Sequence, residues 1–244
     1  MNNYRVMPLL VALTTFSGFA FVSPAQAATI TTAVTVDGTD MPWNWVNLGL
    51  NTSDQFGIND GAGPVVISAA NGFAFNSGDV LALTYISGMV SVGSSFPNTN
   101  ANGDTADAVN NGTGSTGKRF PSFYMNPATY PINLGELVGT FANSSGAIVG
   151  TPFAIGDGPD SVTIPAGATQ LQLGVNDDRF GDNTGSWSIR VSGPGPVVSS
   201  VPEPSSAALC GFALVCLAFV AYRRRAANAL AGIGCASTTT RAAV

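Results

Sequence analysis

A single lysine, Lys118, and only two glutamates, Glu136 and Glu203, stand in a chain of 244 residues that carries 29 glycines and 15 prolines. Lys and Glu are the usual residues of solvated helix faces, so their near absence leaves little from which to build surface helices. Short strands joined by turns are what remains. The length allows one or two domains, and one fits the chain better once its two ends are read separately.

Strand-like runs rich in β-branched, aromatic or alternating apolar residues occur at Val65–Ser68, Val80–Ile86, Leu137–Phe141, Ser161–Ile164, Leu171–Val175 and Trp187–Val191. Period-two alternation puts Leu171, Leu173 and Val175 on one side and Gln170, Gln172 and Gly174 on the other. Turn signals punctuate these runs, among them Asp37-Gly38, Asn59 to Gly61, Asn76 to Gly78, Asp157-Gly158 and Asn183 to Gly185. The pattern predicts an all-β domain over 28–193 built as a β-sandwich. Pro97 to Gly117, crowded with Asn, Gly, Asp and Thr, reads as a long surface loop that is either functional or disordered. Residues 194–200 read as a linker.

Composition also excludes chemistry. There is no histidine, which rules out Ser-His-Asp and Cys-His catalysis and makes a zinc site a poor fit, so any metal must accept oxygen ligands. Cys210, Cys216 and Cys235 all lie at or beyond the C-terminal apolar run, so the domain is expected to hold without disulfides. Between Ala28 and Ser200 thirteen acidic residues face four basic ones, a net charge of −9. Nucleic acid is therefore not an expected partner. The carboxylate pairs Asp104 with Asp107 and Asp177 with Asp178 have no spacing that singles them out for glycoside hydrolysis, and no enzyme is expected.

Both ends read as addressing segments. Arg5 precedes an apolar run from Val6 to Val22, and Ala25-Gln26-Ala27 is a small-x-small site, together a secretory signal over 1–27 cleaved after Ala27. At the other end Pro202-Glu203-Pro204 is followed by an apolar stretch from Ala207 to Tyr222 and by Arg223, Arg224 and Arg225. The stretch is slightly shorter than the ~17–25 residues of a spanning helix, and the arginines suit a cytoplasmic flank. Physics alone leaves open a permanent anchor or a transient tail. The order of motif, apolar helix and arginine cluster over Val201 to Arg225 resembles the PEP-CTERM sorting signal, which implies export to the cell surface or extracellular matrix through an exosortase-type processing enzyme. Members of that family stop soon after the arginines, whereas here residues 226–244 follow, read as an unstructured tail.

The densest oxygen cluster runs from Asn176 to Ser186, including Asp177, Asp178, Asp182 and Asn183, between two expected strands. A hairpin loop there brings side-chain oxygens together in a composition that suits calcium, with its ~6–8 oxygen ligands. Composition alone suits an Asx-rich turn that bonds only its own backbone still better. Leu173 to Asp177 with Phe180 to Ser186 resembles the calcium loop of the PA-I-type galactophilic lectins, and Gly72 to Val80 and Leu134 to Phe141 resemble two further segments of that family. The resemblance covers roughly Val65 to Ser192. It implies a jelly-roll-like, galactose-binding-like sandwich and one Ca2+ held by Asp177, Asp182 and Asn183 together with backbone carbonyls of Arg179 and of Val92. It also implies a glycan or exopolysaccharide ligand. The family's polar sugar-contact segment has no counterpart, so that half of the site is either missing or rebuilt in the Asn-rich loop. Trp43, Trp45 and Tyr124 are candidates for an aromatic platform, against which stands the ordinary role of such residues in core packing. The alternative function is a structural surface protein in which calcium only stabilises the fold.

Overall fold

The computed structural model describes residues 27–44, 55–197 and 206–234. The chain divides into two units: residues 26–198 form an all-β domain, and the described part of the other is a single helix. Among the described residues the domain has ten strands: β1 (Thr29–Asp37), β2 (Val65–Ser68), β3 (Val80–Ser91), β4 (Asp104–Ala108), β5 (Asn133–Leu134), β6 (Leu137–Ala142), β7 (Ile148–Ala154), β8 (Asp160–Thr163), β9 (Gln170–Val175) and β10 (Thr184–Pro194). They form two four-stranded antiparallel sheets, β1-β10-β3-β8 and β2-β9-β6-β7, with β4 and β5 as a small separate ribbon.

All six runs expected from the sequence are strands. The core follows from their alternation: Leu81 and Leu83 on β3, Leu171 and Leu173 on β9, and Trp187 and Ile189 on β10 are fully buried in one cluster. Each large side chain so buried stabilises the domain by ~1.5–3 kcal/mol relative to exposure. The opposite face of β9 is covered too. Gln172 is 3% exposed and its neighbour on β6, Thr140, is 0% exposed, while Met125 and Ile132 pack on Val138 nearby.

Several expectations change. β9 and β10 do not form a hairpin, because β9 is flanked by β2 and β6 while β10 is flanked by β1 and β3. The acidic segment 176–183 is instead a crossing from one sheet to the other. Pro97 to Gly117 is not a structureless loop: Val90 bridges Thr99, Leu137 N donates to the Ala101 carbonyl at 2.9 Å, and β4 pairs with β5. Pro194 belongs to β10, and Gly195 N donates to the Ala28 carbonyl at 2.7 Å, so the linker begins later than residue 194. β7 carries Pro152, which an edge strand tolerates because the missing N–H falls on its unpaired side.

The helix α1 runs over Ser206–Gly234, through the three arginines and past Arg225, where the chain was expected to lose structure. Arg and Ala are strong helix formers, and Ala226-Ala227-Asn228-Ala229-Leu230-Ala231 contains no breaker. Among the described residues no helix is long and apolar enough to cross a membrane. Phe212, Leu217 and Phe219 are exposed on it. The signal segment over residues 1–26, including Ala25, and the motif Pro202-Glu203-Pro204 lie outside the described residues; Ala27 is the first residue described.

A candidate cation-binding cleft

The crossing from β9 to β10 is held at nearly every residue. Asn176 is fully buried and spends its whole side chain on structure, its Oδ1 accepting from Ser122 N at 2.9 Å and its Nδ2 donating to the Asn133 carbonyl at 3.0 Å. Phe180 is fully buried against Phe56, and its N–H donates to Asp60 Oδ1 at 2.9 Å. Between these two anchors the chain has no freedom to turn Asp177 and Asp178 outward.

The two adjacent aspartates, alike in sequence and each 4% exposed, do different things. Asp178 Oδ2 accepts hydrogen bonds from Thr116 N at 2.7 Å and from the Thr116 hydroxyl, while its own carbonyl accepts from Ile58 N at 3.0 Å. It fastens the Asn-rich segment to the crossing. Gly114 is required there, because a Cβ would overlap the Asp178 carboxylate. Asp177 Oδ1 accepts from Asp178 N at 2.7 Å, but its Oδ2 is buried with no hydrogen-bond partner.

Asn183 repeats the pattern. It is 5% exposed, its Nδ2 donates to the Gly38 carbonyl at 2.9 Å, and its Oδ1 is buried and unpartnered. One of its two amide N–H groups is thus committed to Gly38, and the oxygen has no donor. Burial pushes the Asp177 carboxyl up to about 7; the Asn183 side chain and the N–H groups of Asp178 and Arg179 oppose the rise, and the Asp178 charge adds to it. No hydrogen bond of ordinary geometry joins Asp177 Oδ2 to Asn183, although the two side chains lie close enough for one to act on the other.

A cleft of about 360 Å³ opens on this segment. Four of the five residues expected to hold calcium, Val92, Asp177, Arg179 and Asp182, line it, and the fifth, Asn183, adjoins Asp182 in the crossing. Asp182 is half exposed, its Oδ2 lying 3.5 Å from Arg179 Nε and facing Gly93. The turn carrying Val92 is set by Ser91, whose hydroxyl donates to the carbonyls of Gly93 at 2.8 Å and Phe96 at 3.1 Å. The lining therefore gathers residues at the end of β3, on the crossing and on the Asn-rich segment.

A buried carboxylate oxygen and a buried amide oxygen, both lacking donors, are groups that an oxygen-seeking cation can satisfy, since burying such groups unpaired costs several kcal/mol. The donor set of carboxylates, an amide and carbonyls fits a hard cation such as Ca2+. No group of three or more His, Cys, Asp or Glu side chains placed to hold a metal occurs among the described residues. The expected set has only two such side chains, Asp177 and Asp182, because its remaining ligands are amide and backbone oxygens.

The Asn-rich segment, in which the sequence left open a rebuilt half of the site, reaches the cleft: Asp107 on β4 and Thr113 to Ser115 line it. Sequence reasoning missed Phe96, 41% exposed in the same lining, whose only signal was an isolated aromatic at the start of a polar stretch. Trp43, by contrast, is core: it is 2% exposed, with Phe56 edge-on at 4.8 Å and Tyr124 at 6.0 Å. Trp45 lies outside the described residues. Asp104 and Asp107 share β4, but only Asp107 reaches the cleft.

No protein-family model matches the chain, and no curated protein matches it.

Proposed function

We propose that the β-domain is a calcium-dependent carbohydrate-binding module, exported and displayed at the cell surface or in the extracellular matrix through a PEP-CTERM-type tail. The observation that carries the reading is the pair of orphaned buried oxygens, Asp177 Oδ2 and Asn183 Oδ1, in the crossing that lines the cleft. Asp177, Asp182 and Asn183 would hold Ca2+ with carbonyls of Val92 and Arg179. Bound there, the ion supplies a positive centre to which neutral sugar hydroxyls can add as ligands. The residues around it keep their own tasks: Asp178 positions Asp177 through its N–H, and Asn183 is oriented by Gly38.

The export half of the reading rests on the Ala25 and Ala27 cleavage pattern, the Pro202-Glu203-Pro204 motif and the apolar stretch ending in Arg223 to Arg225. A purely structural role for calcium is favoured by one feature, the position of the ligands on the crossing between sheets, where a cation ties the two layers together.

Thermal unfolding in millimolar calcium against chelator tests the metal, and glycan-array binding in the same two conditions separates the two roles. A ligand at about 100 times its dissociation constant stabilises by ~2.7 kcal/mol. That shift is expected in the native domain and in Asp157→Ala, and is expected to vanish in Asp177→Ala. An unchanged midpoint in the native domain would reduce the crossing to an Asx-rich turn.

A further inference from the structure

We infer that Asp107 and Phe96, both in the lining of the cleft, select a glycan bearing a free, protonated amine, so that the ligand class is an amino sugar rather than a neutral or acidic one. This rests on the calcium reading of the same cleft and adds to it the chemistry of two lining residues that are not among the expected metal ligands.

Four carboxylates line the cleft: Asp107, Asp177, Asp178 and Asp182. Asp178 is committed to Thr116, Asp182 lies beside Arg179, and Asp177 holds out a buried oxygen with no partner. Asp107 is different from all three, being exposed and without a hydrogen bond or ion pair among the described residues. One Ca2+ and the Arg179 guanidinium against four carboxylates leave a formal charge of −1 in the cleft, on a domain whose net charge is already −9. A uronate or sulfated sugar is repelled by that field. A neutral sugar gains nothing from Asp107 beyond hydrogen bonds that water also offers, whereas an ammonium gains a charge-assisted one.

Phe96 supplies the second contact. Its 41% exposed phenyl ring, in a lining that also includes Val92, Val109, Phe120 and Leu134, offers an apolar face to the C–H side of a pyranose ring. Ring face, carboxylate and cation site thus bound one cavity of about 360 Å³, at the small end of the ~300–1,000 Å³ usual for ligand pockets.

The test is isothermal titration of the whole domain with a glucosamine trimer, its N-acetylated counterpart and a uronic acid trimer, each in calcium and in chelator. The amine form is expected to bind about tenfold more tightly than the N-acetylated form, with the uronate weakest. Asp107→Asn is expected to erase the amine preference while keeping the calcium-induced thermal shift, and Phe96→Ala to weaken both trimers alike. Asp160→Asn, on β8 and outside the cleft lining, is expected to keep the preference. Equal binding of the two trimers by the native domain, a preference that survives Asp107→Asn, or one that Asp160→Asn also abolishes would overturn the inference. If calcium shifts the native midpoint and the amine preference is absent, the inference alone fails. If calcium shifts nothing, the metal reading fails and the inference with it.

Discussion

At the scale of single residues, chain neighbours of the same type hold opposite roles. In the run Asn176-Asp177-Asp178 the first and third residues are satisfied by backbone and hydroxyl donors, and only the middle one keeps a buried oxygen free. The oxygen-rich composition was legible in the sequence, and the resemblance placed the ligand on Asp177, but no pattern of residue types reveals which carboxylate a distant loop has already claimed. Thr116 is 62 residues away along the chain. This division predicts that Asp178→Asn, which loses a charged acceptor for the Thr116 N–H and hydroxyl, lowers stability by roughly 1–3 kcal/mol equally in calcium and in chelator. Gly114→Ala, which forces a methyl group toward the same carboxylate, is expected to destabilise by a similar ~1–3 kcal/mol. Denaturant titrations in the two conditions check both. A destabilisation by Asp178→Asn that appears only in calcium would instead make Asp178 a ligand.

At the scale of elements, the strands with strong alternation were legible and those that depend on partners were not. β1 is a Thr-rich outer strand whose inward side is mostly only half-buried, and β5 has two residues; both exist because β10 and β4 supply their hydrogen-bond partners. The same dependence on partners hid the sheet crossing, since periodicity marks strands but not which sheet they join. Element junctions also bury charge. Glu136, between β5 and β6, is 8% exposed, and burial pushes its carboxyl from 4.5 up to about 7; the Asn133 N–H opposes the rise and the Asp157 charge adds to it. Asp40, after β1, is raised from 3.8 to about 6, first by burial, with the Asp37 N–H opposing and the Asp37 charge adding. A raised folded pKa means that the native state keeps a proton the unfolded chain has released. The stabilisation is therefore fully present below the ordinary pKa and is lost as pH rises through the folded value. For Glu136 the difference corresponds to about 3 kcal/mol. In chelator the domain is expected to be more stable near about pH 5 than near about pH 8, and Glu136→Gln to remove its share of that slope. Urea unfolding across this range measures it, and a slope unchanged by Glu136→Gln would mean that the carboxylate stays ionised in the fold.

At the scale of the whole molecule, the site exists because three segments far apart in sequence meet at one end of the sandwich: the turn after β3, the Asn-rich segment around β4, and the crossing from β9 to β10. An all-β domain was legible from composition and turn chemistry. The meeting of these segments was not, because it follows from the order β1-β10-β3-β8 and β2-β9-β6-β7. A cation held by the end of β3 and by the crossing should stiffen both and, through Asp178 and Thr116, the Asn-rich segment as well. Trypsin reads this out with few ambiguities, since between Ala28 and Ser200 it can cut only after Lys118, Arg119, Arg179 and Arg190. Arg190 lies inside β10 between two partner strands and reports global unfolding, whereas Arg179 lies in the crossing and Lys118 just beyond Thr116. Cleavage by way of local opening depends on how readily that segment opens, so calcium is expected to slow cutting after Arg179 and Lys118 more than after Arg190. In Asp177→Ala the rates in calcium and in chelator should coincide. Uniform slowing at all four sites would show a cation acting on the global equilibrium only, and equal rates in the native domain would leave the crossing without a bound ion.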